Sequence, residues 1–395
     1  MTNTFILILL FGCTLSGYYS YDLGFPVVSA LSSIIYIILN LLPSRNLSIS
    51  KSFAPLIWFL TFAYGYSFLS SLFIEDINFK QVVLFPLFFL IIFSVSQGTV
   101  NLPIKRILTF IIILHLIFFY VQFLSFLFFD IHIDYLKFFT GEEQRIYGGS
   151  FVVPFLNKFI RPSGLFNEPG TYAVCMTPWI CAYAMTIGRN KFLSPIFSLS
   201  LLSIVFCLSV QGIFSFFVIA LFSLLQMSRK RLIRLLPVLL IILIPVSLFT
   251  FSYLDYRFGF SSGVGVDTGI SFRQNTISYY VTSMQAQFSL WPYLGPGILA
   301  KTGIPNDISL LVATVFVFGI LPSIFFAFFA IIGFSILGSE FSDPSNYTPL
   351  SNKYWLFISL LLMLLTKFFL FSPSGVLTLC LLVSSVDQPS EQVSA

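Results

Sequence analysis

Charge is what this sequence lacks. Only 9% of its 395 residues are Asp, Glu, Lys or Arg, whereas 57% are hydrophobic and 51 are Phe. An ordinary soluble domain carries about a quarter charged residues. One aqueous core cannot hide this much apolar surface, so a soluble globular domain is excluded and a polytopic membrane protein is expected. Histidine is nearly missing, with only His115 and His132. The five cysteines, Cys13, Cys175, Cys181, Cys207 and Cys380, all fall in apolar runs. They have neither metal-site spacing nor an aqueous loop in which to pair, and they read as small core residues. Glu142-Glu143 suggests a metal, but nothing nearby completes a ligand set. There is no internal repeat pairing the two halves. At the N-terminus, Phe5 to Phe11 and Gly12-Cys13 resemble a signal-peptide core with a lipoprotein-like cysteine. A basic leader region and an Ala-x-Ala site are both missing, so this stretch is read as an uncleaved first span.

What the chain has instead is a series of continuous apolar runs. They lie at about 4–18, 23–42, 54–74, 82–97, 107–129, 170–187, 192–208, 212–227, 232–252, 308–338, 354–371 and 374–386. The runs do not alternate, and in lipid each backbone group must be satisfied within its own segment, so they predict an all-α fold. The count is about twelve transmembrane helices, or eleven if the last two are one helix broken at Pro373.

The net charge of +5 matters less than where the basic residues fall. Arg45 and Lys51, Lys105 and Arg106, Arg189 and Lys191, and Arg229, Lys230, Arg231 and Arg234 form four clusters in short loops, each two spans from the next. The positive-inside rule places all four in the cytoplasm, together with the N-terminus and, for twelve spans, the C-terminus. Basic groups at both ends of 192–227 require a turn near Ser209 to Gly212. Two long outward-facing loops remain, at about 130–169 and 253–307, and they hold most of the other charges.

The chain is organised around Arg161-Pro162-Ser163-Gly164-Leu165-Phe166-Asn167-Glu168-Pro169-Gly170, directly before the apolar run from Thr171 to Ile187. Proline suits the first position of a helix, so Glu168 is expected at the cap with its carboxylate toward the positive end of the helix dipole. Arg161 is expected one loop away, free to meet an anion. In the second loop, Gly259 to Gly265 lacks the strand-then-helix context of a nucleotide site. From Ser271 an amphipathic helix is expected along the membrane interface, with Phe272, Tyr280, Met284 and Phe288 on one face, broken by Trp291-Pro292. Asn306-Asp307 is expected to cap the next long apolar helix.

Arg161 to Pro169, followed by Leu294-Gly295-Pro296-Gly297, then Asn306-Asp307-Ile308-Ser309 and Gly319-Ile320, resembles the O-antigen polymerase and ligase superfamily. Within it the chain is more similar to Wzy-type polymerases. Ligases carry a histidine before the penultimate long helix, where this chain has Asn306-Asp307. The resemblance implies a single polytopic domain like the GT-C-like glycosyltransferases, in the bacterial inner membrane, with a periplasmic active site. It also implies that a growing glycan on undecaprenyl diphosphate moves onto the terminal sugar of a new lipid-linked repeat, with a chain-length regulator as partner. No metal or cofactor is implied.

The residues suit that chemistry. Breaking a sugar-to-pyrophosphate bond develops negative charge, which guanidinium groups stabilise through charge-assisted, often bidentate bonds. Arg145, Arg161, Arg257 and Arg273 are the candidates. The acceptor hydroxyl needs a proton acceptor, for which Glu168 comes first and Asp307 second.

Each residue has a plainer alternative. Arg161 and Glu168 could form a salt bridge pinning loop to helix, and Arg273 could snorkel to lipid phosphates. Arg145 and Arg257 could be solvated loop charges, and Asp307 an N-cap. His115 reads as a satisfied interior polar group, His132 as a loop residue, and Lys367 as snorkelling or lining a cavity. The competing functions are an O-antigen ligase and a lipid-linked oligosaccharide flippase. A flippase needs polar residues along a path through the bilayer, whereas here the charge density lies in the two external loops.

Overall fold

The computed structural model describes residues 7–12, 14, 31–36, 38, 51–74, 77–101, 104–140, 143–144, 160–187, 191, 194–227, 233, 244, 246–248, 250–255, 268–300, 309–328, 350–366 and 370–386. Among them the regular elements are helical, and the extended pairing is confined to one isolated bridge between Ile77 and Ala300. The helices are α1 (Ala54–Ser71), α2 (Phe79–Asn101), α3 (Ile104–Phe129), α4 (Tyr135–Thr140), α5 (Pro169–Thr186) and α6 (Pro195–Phe206). They continue with α7 (Val210–Leu225), α8 (Thr268–Gln287), α9 (Leu310–Phe318), α10 (Leu350–Leu365) and α11 (Pro373–Val386). Two stretches, Phe79–Ser96 in α2 and the whole of α3, are long and apolar enough to cross a membrane. Four shorter apolar helices accompany them, within α6, α7, α10 and α11. The four described cysteines, Cys175, Cys181, Cys207 and Cys380, are free and buried.

Two compact units are present. The first comprises Met1–Ile107, Gly269–Lys353 and Met363–Pro389. Its core helix is α11, buried along most of its length and packed on α2. Pro373 opens α11, eight residues after α10 ends at Leu365, so the last two apolar runs are separate helices rather than one kinked helix. The run expected at 308–338 is interrupted. α9 ends at Gly319, whose φ of 82° suits glycine, and residues 320–328 start a new helix. The break is filled by the stretch around Gly295. The amides of Gly295 and Gly297 donate to the carbonyls of Phe318 (2.8 Å) and Val317 (2.7 Å), and the amides of Ile320 and Leu321 donate to Pro292 (2.9 Å) and Tyr293 (3.1 Å). The carbonyls of Val317 and Phe318 and the amides of Ile320 and Leu321, all freed at the break, find partners here, as an apolar setting demands. A Cβ on Gly295 would lie 2.4 Å from the Val317 carbonyl oxygen, and one on Gly319 would lie 2.6 Å from the Gly295 nitrogen, so neither position accepts a larger residue. Helix α1 secures the same stretch. Tyr66 donates its hydroxyl to the Gly295 carbonyl (2.7 Å), Ser70 donates to Pro296 (2.6 Å), and Ser67 accepts from the Ile298 amide (3.0 Å).

The cap of α9 also departs from expectation. Ser309, not Asn306-Asp307, is the N-cap, and its hydroxyl accepts from the Val312 amide at 3.4 Å. Upstream, α8 confirms the helix expected from Ser271. Its face carrying Ile277, Tyr280 and Val281 packs on Ala313 and Phe316 of α9, and Met284 and Phe288 are buried.

The second unit comprises Leu108–Thr268, Tyr354–Leu362 and Ser390–Ala395. α5 is its centre, with all but Gly170 buried, and it packs on α6 and α7. Tyr172 of α5 donates to the Ser203 hydroxyl of α6 at 2.7 Å. α6 and α7 are joined by a tight turn at Cys207–Ser209, just before the stretch Ser209 to Gly212 where a turn was expected; Val210–Gly212 already belong to α7. At the opposite end of α5, Lys191 is 4% exposed. Its ammonium donates to the carbonyls of Ala184 and Ile187 and lies 5.1 Å from the Trp355 ring centroid, satisfying the last turn of α5 with a cation. Burial pulls this ammonium down to about 8.

Candidate functional site

The stretch from Arg161 to Gly170 is not a solvated loop. Pro162, Ser163, Gly164, Leu165 and Phe166 are all buried, folded back against α3 and α5. Two features let the chain do this. Gly164 adopts φ of 59° over the backbone of Phe119 in α3, where a Cβ would come within 3.3 Å of the Phe119 nitrogen. Phe166 is 0% exposed and fills a cage of Tyr172 (5.4 Å, edge-on), Trp179 (6.4 Å) and His115 (4.8 Å).

Polar groups of the turn are held by two glutamines that the sequence reading passed over. Gln122 of α3 accepts from the amides of Ser163 (2.8 Å) and Gly164 (3.0 Å) through Oε1. Its Nε2 donates to the Ile133 carbonyl (2.8 Å) and to Oε1 of Gln144 (2.7 Å). Gln144 in turn donates Nε2 to the carbonyls of Gly164 (2.6 Å) and Phe166 (2.9 Å). Asp134 completes the frame, with one oxygen accepting from the Lys137 amide (2.9 Å) at the start of α4 and the other from the Gln144 amide (2.9 Å). His132 lies beside this frame, its Nε2 3.4 Å from Gln122 Nε2. Burial pulls the His132 imidazole below its usual range, against the opposing attraction of Asp134. A signal for Gln122 was available. It is the one amide side chain in α3 and stands seven residues after His115, two turns along the same face, and a polar residue inside an apolar span marks a functional position.

His115 corrects its expectation. It is fully buried, but neither ring nitrogen has a hydrogen-bond partner, and the ring packs between Phe166 and Trp179 (5.2 Å) as an aromatic. Asn167 Oδ1 is likewise buried without a partner.

The two central charged residues sit at the ends of this turn. Glu168 is the N-cap of α5, with Pro169 following at the first helical position, as expected. Its side chain makes no capping bond to the first turn of α5; Oε1 accepts from the Thr171 hydroxyl at 3.1 Å, and the residue is 8% exposed. Arg161, expected free to meet an anion, is anchored. Its Nε donates to the Leu208 carbonyl at 2.9 Å, and its Cζ lies 5.6 Å from the centroid of the Tyr253 ring. Leu208 presents that carbonyl from the α6–α7 turn, where it takes a left-handed backbone with φ of 48°. Arg161, the reversal between α6 and α7, and the end of the 232–252 run therefore meet at one end of the second unit. This chemistry offers a carboxylate at a helix N-terminus and a half-buried guanidinium braced at Nε.

Arg145, Arg257 and Asp307 lie outside the described residues, as do Glu142 and Lys367. Arg273 is on the described backbone of α8, with its side chain outside the description. Among the described residues no three His, Cys, Asp or Glu side chains gather as a metal set. No family model matches the chain, and no curated protein matches it.

Proposed function

We propose that this chain is a polytopic glycosyltransferase of the bacterial inner membrane, a Wzy-type O-antigen polymerase with about twelve spans and an outward-facing site. The observation that carries the reading is the Arg161–Glu168 turn. Its backbone is gripped by Gln122 and Gln144, it delivers a carboxylate to the N-terminus of α5, and it braces a guanidinium beside Leu208 and Tyr253. Such preorganisation is what charge development at a leaving group requires. The second group of motif residues supports the same family, because Leu294-Gly295-Pro296-Gly297 and Gly319-Ile320 interlock at one helix break. Large hydrophobic side chains stand exposed on the helices, among them Trp58 at 66% and Leu69 at 66%, as lipid-facing surfaces would.

In the reaction, the bond between the anomeric carbon of the growing glycan and the pyrophosphate oxygen breaks. A bond forms between that carbon and a hydroxyl of the incoming lipid-linked repeat. The hydroxyl proton passes to the Glu168 carboxylate, with Asp307 as the second candidate. The electron pair leaves with undecaprenyl diphosphate, stabilised by Arg161 together with Arg145, Arg257 and Arg273. A chain-length regulator is the proposed protein partner.

The test is deletion of the gene followed by separation of lipid-linked and surface glycans. The expected product is a single repeat unit without polymer. Loss of even the one-repeat product would assign the chain to lipid-linked oligosaccharide translocation instead, and unlinked polymer accumulating on its lipid carrier would assign it to ligation.

A further inference from the structure

The end of α3 and the segment that follows it, which composition assigns to an aqueous loop from about residue 130, carry one apolar surface out of keeping with water. Phe138 is 83% exposed, Phe129 72%, Phe128 70% and Ile131 56%. The opposite side of the same segment is packed. Leu136 is 3% exposed, Tyr135 meets Phe118 edge-on at 4.8 Å, and Asp134 caps the short helix α4 and holds Gln144. The stretch therefore has an inner face committed to the protein and an outer face of largely exposed apolar side chains.

That outer face continues a stripe along α3. Ile113, Ile117, Val121, Leu124 and Phe128 are all exposed and recur every three or four residues, which puts them on one side of the helix. Length decides what the stripe meets at its end. Counting from Arg106, about 20 residues at roughly 1.5 Å each cross a hydrocarbon core of about 30 Å. α3 runs on to Phe129, so Phe128, Phe129 and Ile131 emerge where acyl chains give way to headgroups, the layer in which aromatic side chains anchor membrane proteins. There Asp130 takes a left-handed backbone, φ 56°, and turns the chain. The exposed pair Lys137–Glu143, 2.8 Å apart, supplies polar groups beside Phe138.

We propose that Phe128, Phe129, Ile131 and Phe138 form an apolar foot seated in the outer leaflet of the phospholipid bilayer, at the boundary of acyl chains and headgroups. The foot rests on the membrane-spanning reading of α3 given above. Its consequence is depth. Gln122, Asp134 and Gln144 tie the foot's segment to the Ser163–Phe166 turn, so the turn is held at headgroup height, where the pyrophosphate of a membrane-anchored substrate lies.

The test is spin labelling of the full-length protein in phosphatidylethanolamine–phosphatidylglycerol vesicles at Phe138→Cys, Phe129→Cys, Ile117→Cys and Glu143→Cys. Accessibility to oxygen, which concentrates in lipid, is compared with accessibility to a water-soluble nickel chelate. The four described native cysteines are buried, and the unsubstituted protein supplies their background. Labels at positions 138 and 129 are expected to favour oxygen over the chelate several-fold more than the label at 143 does. A label at 138 or 129 that matches 143 would overturn the foot in favour of water, and one shielded from both reagents would overturn it in favour of a covering protein. Position 117 separates the two readings. If it reports lipid while 138 does not, the foot alone fails; if it too reports water, the span fails and the foot with it.

Discussion

Gln122 and Gln144 meet side chain to side chain, the Nε2 of one donating to the Oε1 of the other at 2.7 Å, and between them they occupy both edges of the Ser163–Phe166 backbone. An amide can do this because it carries a donor and an acceptor on one rigid plane. Buried networks of this kind are stable only when complete, since each orphaned group bears its full desolvation cost.

Gln122→Leu would strand the amides of Ser163 and Gly164 and the carbonyl of Ile133 in a buried site. With each unsatisfied group costing about 1–3 kcal/mol, the variant should lose at least about 2 kcal/mol. Thermal unfolding of the purified protein measures this. Stability unchanged within about 0.5 kcal/mol would show that the turn does not depend on the glutamine.

Gly295→Ala and Gly319→Ala each drive a Cβ into backbone atoms of the other glycine's segment. Each should cost about 1–3 kcal/mol, by overpacking or by backbone strain. Because both act on one crossing, the double variant should lose less than the sum of the two, which a double-mutant cycle of melting temperatures reads directly.

His132 should make the second unit sensitive to acid. Its folded value lies below the unfolded one of about 6.5, so the unfolded chain binds more protons in the window between them. The stabilisation is present above about pH 6.5 and is lost as pH falls from there through the folded value. Melting temperature should drop across that window in the native protein and drop less in His132→Gln. Parallel curves for the two proteins would remove His132 as the cause.

Arg161→Lys keeps the charge but lacks the Nε donor used on Leu208 and the planar fork that binds phosphate oxygens in pairs. Most polymer should disappear, with single lipid-linked repeats accumulating in glycan gels. A lysine variant that makes full-length polymer would take Arg161 off the catalytic list.

Much of the local architecture was legible in the residues. Apolar runs without alternation predict helices, Pro169 marks the start of α5 with Glu168 before it, and the basic groups at both ends of 192–227 predict a reversal near Ser209 to Gly212, which is seen slightly earlier, at Cys207–Ser209. These are properties of single segments, set by backbone satisfaction, proline geometry and charge. Tertiary structure alone decided the rest. Whether Gln122 reaches the turn, whether His115 finds a partner, and where the run from 308 breaks all depend on which segment lies alongside, and that information is spread across residues tens of positions apart. Gly319 ends its helix because the Gly295 stretch is there to take the carbonyls it releases, and Arg161 is braced because the left-handed Leu208 turns a carbonyl toward it.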